Sequence, residues 1–491
     1  MKEIRVLALA LFFALVYLAV LFVDLLPISL KLGSYASQRF FLLVTISVVS
    51  VIALSVLARA EGRFIINSIW PVLLVSAGFI LLSLPRAFSP FSWAEPGMYA
   101  LYFSGFVLAG CLPKSSQQKM DVVITLISVT AIMATFYGMA TITVYIFALS
   151  DDVVSLTDYI PWGFVNIRYW SHIATWVLPL LPLAVLIGPL KNQRLWRFLV
   201  ALGSALWWWI VFLSSSRGTM LGVIFGMLVV AILMGRLAMP WLKTSFRYFC
   251  YGVVAWLLLS VLIPSLLIDD VVVRSLKADS SGRMPLFVEA WHMSLVEFPF
   301  GMGPQSWLTH EIITEGYRQS PKFGHPHNMY LMWAAEYGWL MVASILVLAG
   351  QAMYLFSQRR KEIAEDGAKA LALTAFTASV SAALLHAGVS AVFMAPGSML
   401  VGFAVLSVFW VLISGERLDS KRKPTKRRTF AALVIALVGS GFCLVWINNV
   451  RDYHAAMTND EQVYYDGPSV GMLPRFWFHG NFPRYGPTEK D

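Results

Sequence analysis

Residues 196–235 read WRFLVALGSALWWWIVFLSSSRGTMLGVIFGMLVVAILMG, and this stretch decides the fold. An apolar run beginning at Trp196 meets the tight polar turn Ser214-Ser215-Ser216-Arg217-Gly218, and a second apolar run continues to about Gly235. Each run has close to the ~20 residues that a helix needs to cross the hydrocarbon core of a bilayer. The pattern recurs in both directions. Apolar runs lie near 40–58, 66–84, 98–112, 122–149 and 169–188 before it, and near 247–266, 328–356, 370–392, 396–414 and 430–448 after it. The start, Met1-Lys2-Glu3-Ile4-Arg5, leads into a further run ending near Pro27. That run is long and lacks a small-residue cleavage site, so it reads as an uncleaved span rather than a signal peptide. The expectation is an all-α polytopic membrane protein with about 12–13 transmembrane helices.

Composition agrees. Of 491 residues 58% are hydrophobic and only 13% are charged, about half the charged share of a soluble domain. An ordinary soluble enzyme and a disordered chain are both excluded. Cys111, Cys250 and Cys443 lie far apart in or beside apolar segments. They form neither a disulfide framework nor a metal-binding spacing, and read as small core residues.

The net charge of +10 is explained by where the charges sit. Alternate loops hold Lys2/Arg5, Arg59/Arg63, Lys114/Lys119, Lys191/Arg194/Arg197, Arg236/Lys243/Arg247, Arg359/Arg360/Lys361/Lys369 and the run from Arg417 to Arg428. These are about 23 of the 37 basic residues, against about 8 of the 27 acidic ones. The positive-inside rule makes that face cytoplasmic. The basic excess therefore orients the chain, and nucleic acid is not an expected partner. The stretch Lys421-Arg422-Lys423-Pro424-Thr425-Lys426-Arg427-Arg428 reads as a cytoplasmic stop and suits contact with anionic membrane lipids.

Five regions follow: N-terminal spans over 1–150, spans with outer-face arginines over 151–266, a large outer loop over 267–327, C-terminal spans over 328–448, and an aromatic tail over 449–491. Within the loop, Met284 to Phe298 has apolar residues at helical spacing, with Glu289, His292 and Glu297 as its polar positions. That suits a helix lying at the membrane interface. In the tail, Leu473-Pro474-Arg475-Phe476-Trp477-Phe478-His479 is expected to fold back toward the headgroup zone that aromatic rings favour.

A transporter hides ionisable groups in its spans, facing a pathway. Here Asp24, Arg168, Arg217, Glu336 and His386 fall near span ends on the outer side, which disfavours a channel or pump. Polar chemistry gathers instead in four outer clusters: Gly163–Trp170, Ser214–Gly218, Ser281-Gly282-Arg283, and His325-Pro326-His327-Asn328. A lone arginine at a span end can simply meet lipid phosphate. Three on one face, beside Gly, Ser and Asn, can converge on a diphosphate through forked, charge-assisted hydrogen bonds. The turn at Ser216 also opens a helix, whose N-terminus favours an anion. It is not a nucleotide loop, because the G-x-x-x-x-G-K pattern is absent. His327 is the candidate general base, while Asn328 also fits the N-cap of the next helix. His325 and His327 lack a third ligand nearby in sequence, so no metal site is expected. Glu336 reads as structural, or as a partner for an arginine.

Taken in order, Phe164-x-Asn166-x-Arg168 with Trp176 and Leu178-Pro179-Leu180-Leu181, then Ser214–Gly218, then Gly282-Arg283 with Trp291, Pro299, Gly301 and Gly303, then His325–Asn328 with Tyr330, Leu331 and Glu336-Tyr337-Gly338, resemble the O-antigen ligase and O-antigen polymerase superfamily. The resemblance covers about residues 160 to 345. It implies a GT-C-like fold in the bacterial inner membrane, with a large periplasmic loop over the site. It also implies cofactor-free, metal-independent, inverting glycosyl transfer from an undecaprenyl-diphosphate-linked glycan. The acceptor is lipid A–core in ligases and a second lipid-linked glycan in O-antigen or exopolysaccharide polymerases. On this resemblance Arg217, Arg283 and His327 are catalytic, and Arg168, Asn166, His325, Asn328 and Ser216 bind substrate. The chain departs from the family picture at its end. A span near Phe430–Ile447 places the aromatic tail outside, which keeps protein O-oligosaccharyltransferases as a third relative.

Overall fold

The computed structural model describes residues 2–21, 34–59, 62–86, 91–113, 115–151, 155–161, 164, 167–267, 282–415, 425–466 and 475–478. Asn166, Ser281 and the basic positions 421–424 lie outside the described residues. The helices are α1 (Lys2–Leu21), α2 (Tyr35–Arg59), α3 (Gly62–Ser83), α4 (Ala94–Gly110), α5 (Ser116–Ser150), α6 (Ile167–Val177), α7 (Arg194–Leu213), α8 (Arg217–Met234), α9 (Met239–Trp256), α10 (Ile263–Leu267), α11 (Met284–Val296), α12 (Glu315–Arg318), α13 (Met329–Glu362), α14 (Gly367–Ala387), α15 (Pro396–Ile413) and α16 (Lys426–Asp466). Among the described residues there is no strand, and nine helical stretches are long and apolar enough to cross a membrane. One of them, Arg217–Leu267, holds two of the expected spans, separated at Gly235 with φ 54°. The protein is an all-α polytopic membrane protein.

Span six differs from expectation. The apolar run 169–188 is not one helix: α6 stops at Val177, and a 3₁₀ turn follows over Leu181–Val185. Pro179 and Pro182 cause this, since proline removes a backbone donor and clashes with the preceding turn. Carbonyls freed inside a membrane protein need internal partners. Two tryptophans supply them: Trp241 Nε1 donates to Pro179 O (2.9 Å) and Trp196 Nε1 to Ala184 O (2.8 Å).

Close helix packing sets the frame of the site. On α8, Gly218, Gly222 and Gly226 recur every fourth residue along one face. An added Cβ would meet His386 Nε2 at 2.3 Å, Ala382 O at 2.7 Å and Ala378 O at 2.3 Å, so α14 lies directly on this stripe. Small residues at such spacing let helix backbones approach where there is no hydrophobic drive between helices. Away from the site, Lys119 of α5, Arg359 of α13 and Lys369 of α14 line one small cavity. Basic loops distant in sequence therefore meet at one end of the bundle.

Residues 282–328 fold as a cap on α13. That helix is broken at Gly338 (φ 81°, ψ 170°), which frees carbonyls one turn earlier. Met302 N donates to Ala335 O (2.8 Å) and Gly303 N to Glu336 O (2.9 Å). The approach is possible only without side chains, because a Cβ on Gly338 would lie 2.1 Å from Pro299 O and one on Gly301 2.4 Å from Gly338 N. Arg86, at the end of the α3 segment, pairs with Glu297.

The loop helix forms where expected, but Glu289 is not on a solvated face. It is fully buried and accepts hydrogen bonds from Ile313 N (2.7 Å), Thr314 N (2.8 Å), Thr314 Oγ1 and His310 Nε2 (2.9 Å). Burial raises its pKa, but these four donors outweigh it and hold the carboxyl below its usual value. Leu286, Ala290 and Met293 face Trp307 and Tyr317, while Trp291, Leu295 and Phe298 stay exposed. The exposed apolar set fits contact with the membrane surface.

The tail enters the core. Arg475 is wholly buried, and its Nη2 donates to Glu336 Oε2 (2.6 Å) and Glu95 Oε2 (3.1 Å). Phe476 and Trp477 are buried beside it, with rings against Tyr453, Phe40 and His454.

Candidate active site

Ile167 begins α6, so Arg168 stands in its first turn, half-buried. Its carbonyl accepts from Ser171 Oγ (2.7 Å). One turn on, α6 meets α8 and α14 in a polar core. Thr175 Oγ1 lies 2.7 Å from His386 Nδ1 and 3.0 Å from Thr219 Oγ1, and Thr219 Oγ1 donates to Ser171 O (2.7 Å). His172 Nε2 lies 2.7 Å from Ser390 Oγ, and the two imidazole rings are 5.1 Å apart. Buried polar groups must be paired, and this network fixes the helix ends that carry the arginines.

The polar turn before α8 is tightly wound. Ser215 has φ 49°, Arg217 N donates to Ser215 O (2.8 Å), and Ser214 Oγ lies 2.6 Å from Ser216 Oγ. Ser216 is the N-cap, but its side chain makes no cap hydrogen bond. The first turn of α8 thus presents its amide end and the Arg217 guanidinium together, a combination suited to an anion.

Arg283 opens α11 and reaches α14's end, with Nη1 donating to Val389 O (2.8 Å). Its buried Nε has no partner among the described residues. Burial, then repulsion from Arg168 and Arg217, pushes its pKa down to about 10. The guanidinium still carries its charge at neutral pH. Three like charges close enough to disfavour one another define a site that gains from a bound anion.

His327 completes the group. Its ring is 4% exposed, yet neither Nδ1 nor Nε2 has a partner among the described residues. Burial and the nearby Arg168, Arg283 and His172 hold it well below the usual histidine value, so it is neutral at pH 7. The backbone at His327 has φ 59°, a conformation that a residue with a side chain seldom adopts. His327 N donates to His325 Nδ1 (3.1 Å), and the two rings lie 4.3 Å apart. Asn328 Oδ1 accepts from Leu331 N (3.0 Å) and caps α13.

Arg168, Arg217, Arg283 and His327 therefore share one electrostatic site. His325 Nδ1 and Asn328 Oδ1 hold the backbone on either side of His327. Ser216 stands in the arginine turn. Glu336 does pair with an arginine, but that arginine is Arg475 of the tail. The Arg39–Glu95–Glu336–Arg475 group is absent from the sequence reading. Its one signal was a charge at the edge of each of two apolar runs, Arg39 and Glu95.

Residues 202–346 match the family model described as O-antigen ligase. Over that stretch, under a third of its length, the chain is similar to this family. No curated protein and no solved structure matches it. The matched segment runs from within α7 to within α13 and contains Arg217, Arg283, His325, His327 and Asn328. Arg168 and Arg475 lie outside it. Of the helices that build this site, α8, α11 and the start of α13 lie in the matched segment, and α6 and α14 lie outside it.

Proposed function

We propose that the protein is an O-antigen ligase-type glycosyltransferase moving a glycan from undecaprenyl diphosphate to lipid A–core at the periplasmic face of the inner membrane. The observation that carries this reading is the buried imidazole of His327, without a partner among the described residues, beside the arginine cluster. A neutral imidazole can accept a proton, and the adjoining guanidiniums can hold a diphosphate.

In the proposed reaction the acceptor hydroxyl attacks the anomeric carbon from the face opposite the diphosphate. The new C–O bond forms as the sugar–phosphate bond breaks, with inversion. The hydroxyl proton passes to His327. Undecaprenyl diphosphate departs carrying one more negative charge, which Arg217, Arg283 and Arg168 stabilise as it develops. The energy of the glycosyl–diphosphate linkage drives the transfer. Proton acceptance contributes ~10²–10⁴-fold in such reactions. Asn166 is assigned to substrate binding by its place two residues before Arg168.

A repeat-unit polymerase would use the same donor groups with another lipid-linked glycan as acceptor, and a protein O-oligosaccharyltransferase would use a Ser or Thr side chain. Glycolipid analysis of a strain lacking the gene separates the three. The ligase reading expects bare lipid A–core with long glycan left on undecaprenyl diphosphate. Core capped with one repeat unit would assign the polymerase, and loss of glycan from glycoproteins alone would assign the third. His327→Ala should insert normally and fail to restore the wild-type pattern.

A further inference from the structure

We propose that the tail segment Arg475–Trp477 is a positioning element of the active site, in which Arg475 holds the strand that carries His327. This rests on the assignment of His327 as the group receiving the acceptor proton.

The contacts close a circuit around that strand. Arg475 Nη1 donates to Gly324 O (3.0 Å), immediately before His325. Its Nη2 donates to Glu336 Oε2 (2.6 Å), and Glu336 Oε1 accepts from Trp307 N (3.2 Å). Trp307 Nε1 in turn donates to Phe323 O (2.8 Å). Two successive carbonyls, Phe323 and Gly324, are thus held by side chains that share one carboxylate. The strand continues into the His327 N to His325 Nδ1 hydrogen bond and the left-handed backbone of His327. Such a conformation persists only where the surroundings fix it. The tail is itself anchored. Arg39 Nε donates to Phe476 O (2.9 Å), Arg39 Nη2 to Met394 O (2.7 Å), and Tyr35 OH to Arg475 O (2.6 Å). Arg475 also supplies the cation between two wholly buried carboxylates, Glu95 and Glu336. Its contact with the His327 segment is the hydrogen bond to Gly324 O, and its action is through that segment.

The test uses full-length protein in lipid nanodiscs and a lipid-linked glycan donor. Arg475→Gln, Arg475→Lys and the triple Glu95→Gln/Glu336→Gln/Arg475→Leu, which removes both carboxylates together with the cation between them, are compared with wild type and His327→Ala. Arg475→Gln should lower kcat by ~10²-fold, the scale of a small misplacement of a reacting group, with donor KM within about threefold. Arg475→Lys should recover part of that loss. The triple should regain the thermal midpoint without regaining kcat. The acidic limb of the rate profile should move to higher pH in Arg475→Gln, as a loosened strand hydrates the imidazole. The charged and titratable groups facing His327, namely Arg168 and His172 of α6, Arg283 before α11 and His325, are unaltered in all these variants. A triple that regains both stability and kcat would reduce Arg475 to a structural role and overturn the inference. So would full activity in Arg475→Gln alongside inactivity in His327→Ala. Activity in His327→Ala would remove the proton assignment and this inference with it.

Discussion

Guanidinium and ammonium groups share a charge but not a geometry. A planar fork meets two phosphate oxygens at once, whereas an ammonium is a point charge. Arg217→Lys and Arg283→Lys should therefore lose activity despite keeping the charge, and the alanine variants should lose ~10²–10³-fold, the scale of deleting one donor to a developing anion. Transfer kinetics on purified variants measure this, and wild-type turnover in Arg283→Ala would count against the assignment. His325 and His327 set the pH response. Burial depresses both in the folded protein. Below about pH 6.5 the unfolded chain binds more protons than the folded one, so stability is fully present above that value and is lost as pH falls. The thermal midpoint should fall between pH 7 and pH 5, and a midpoint that rises on acidification would contradict the burial of these imidazoles. At this scale residue type marks candidates where chemistry is local: Arg217 at the start of α8, Arg283 before α11 and His327 before α13. The orienting roles of His325 and Asn328 depend on which backbone N–H each meets, which residue type does not specify.

The broken helix α13 is the element on which the site turns. Gly338→Ala adds a Cβ 2.1 Å from Pro299 O at a backbone φ of 81°. The expected loss is ~3 kcal/mol or more, combining backbone strain with collision. Gly350→Ala lies on the same helix with nothing within 4 Å of its Cβ and serves as the control; it should be neutral or stabilising by up to ~1 kcal/mol. Thermal midpoints and protease resistance of residues 282–328 distinguish the two. The sequence showed the loop helix to within two residues of its observed C-terminal end, because amphipathic spacing is written locally. It did not show the break at Gly338, because an apolar run looks the same whether its glycine is helical or left-handed. Span six was misread for a related reason: hydropathy registers Leu178–Pro182 as membrane-compatible, and only the missing proline donors end the helix.

Across the whole molecule, the spans were legible because each must be long and apolar, and the basic residues clustered in alternate loops set an expected orientation. The proposed orientation has a direct check. In a background lacking Cys111, Cys250 and Cys443, an impermeant thiol reagent added to intact cells should label Glu311→Cys and not Gln358→Cys, both at exposed positions. Labelling of Gln358→Cys from outside would invert the topology. The buried Arg39–Glu95–Glu336–Arg475 group was not legible, since its members span most of the chain and each, alone, looks like a charge at a span end. That group has a temporal meaning. Arg475 stands sixteen positions from Asp491, after every helix of the bundle. At ~5–20 residues per second of synthesis, all sixteen helices are made before Arg475 arrives. A nascent or prematurely ended chain carries Glu95 and Glu336 without it. The bundle is therefore made with two like charges at its centre, and they are joined only when Arg475 of the tail folds in between them.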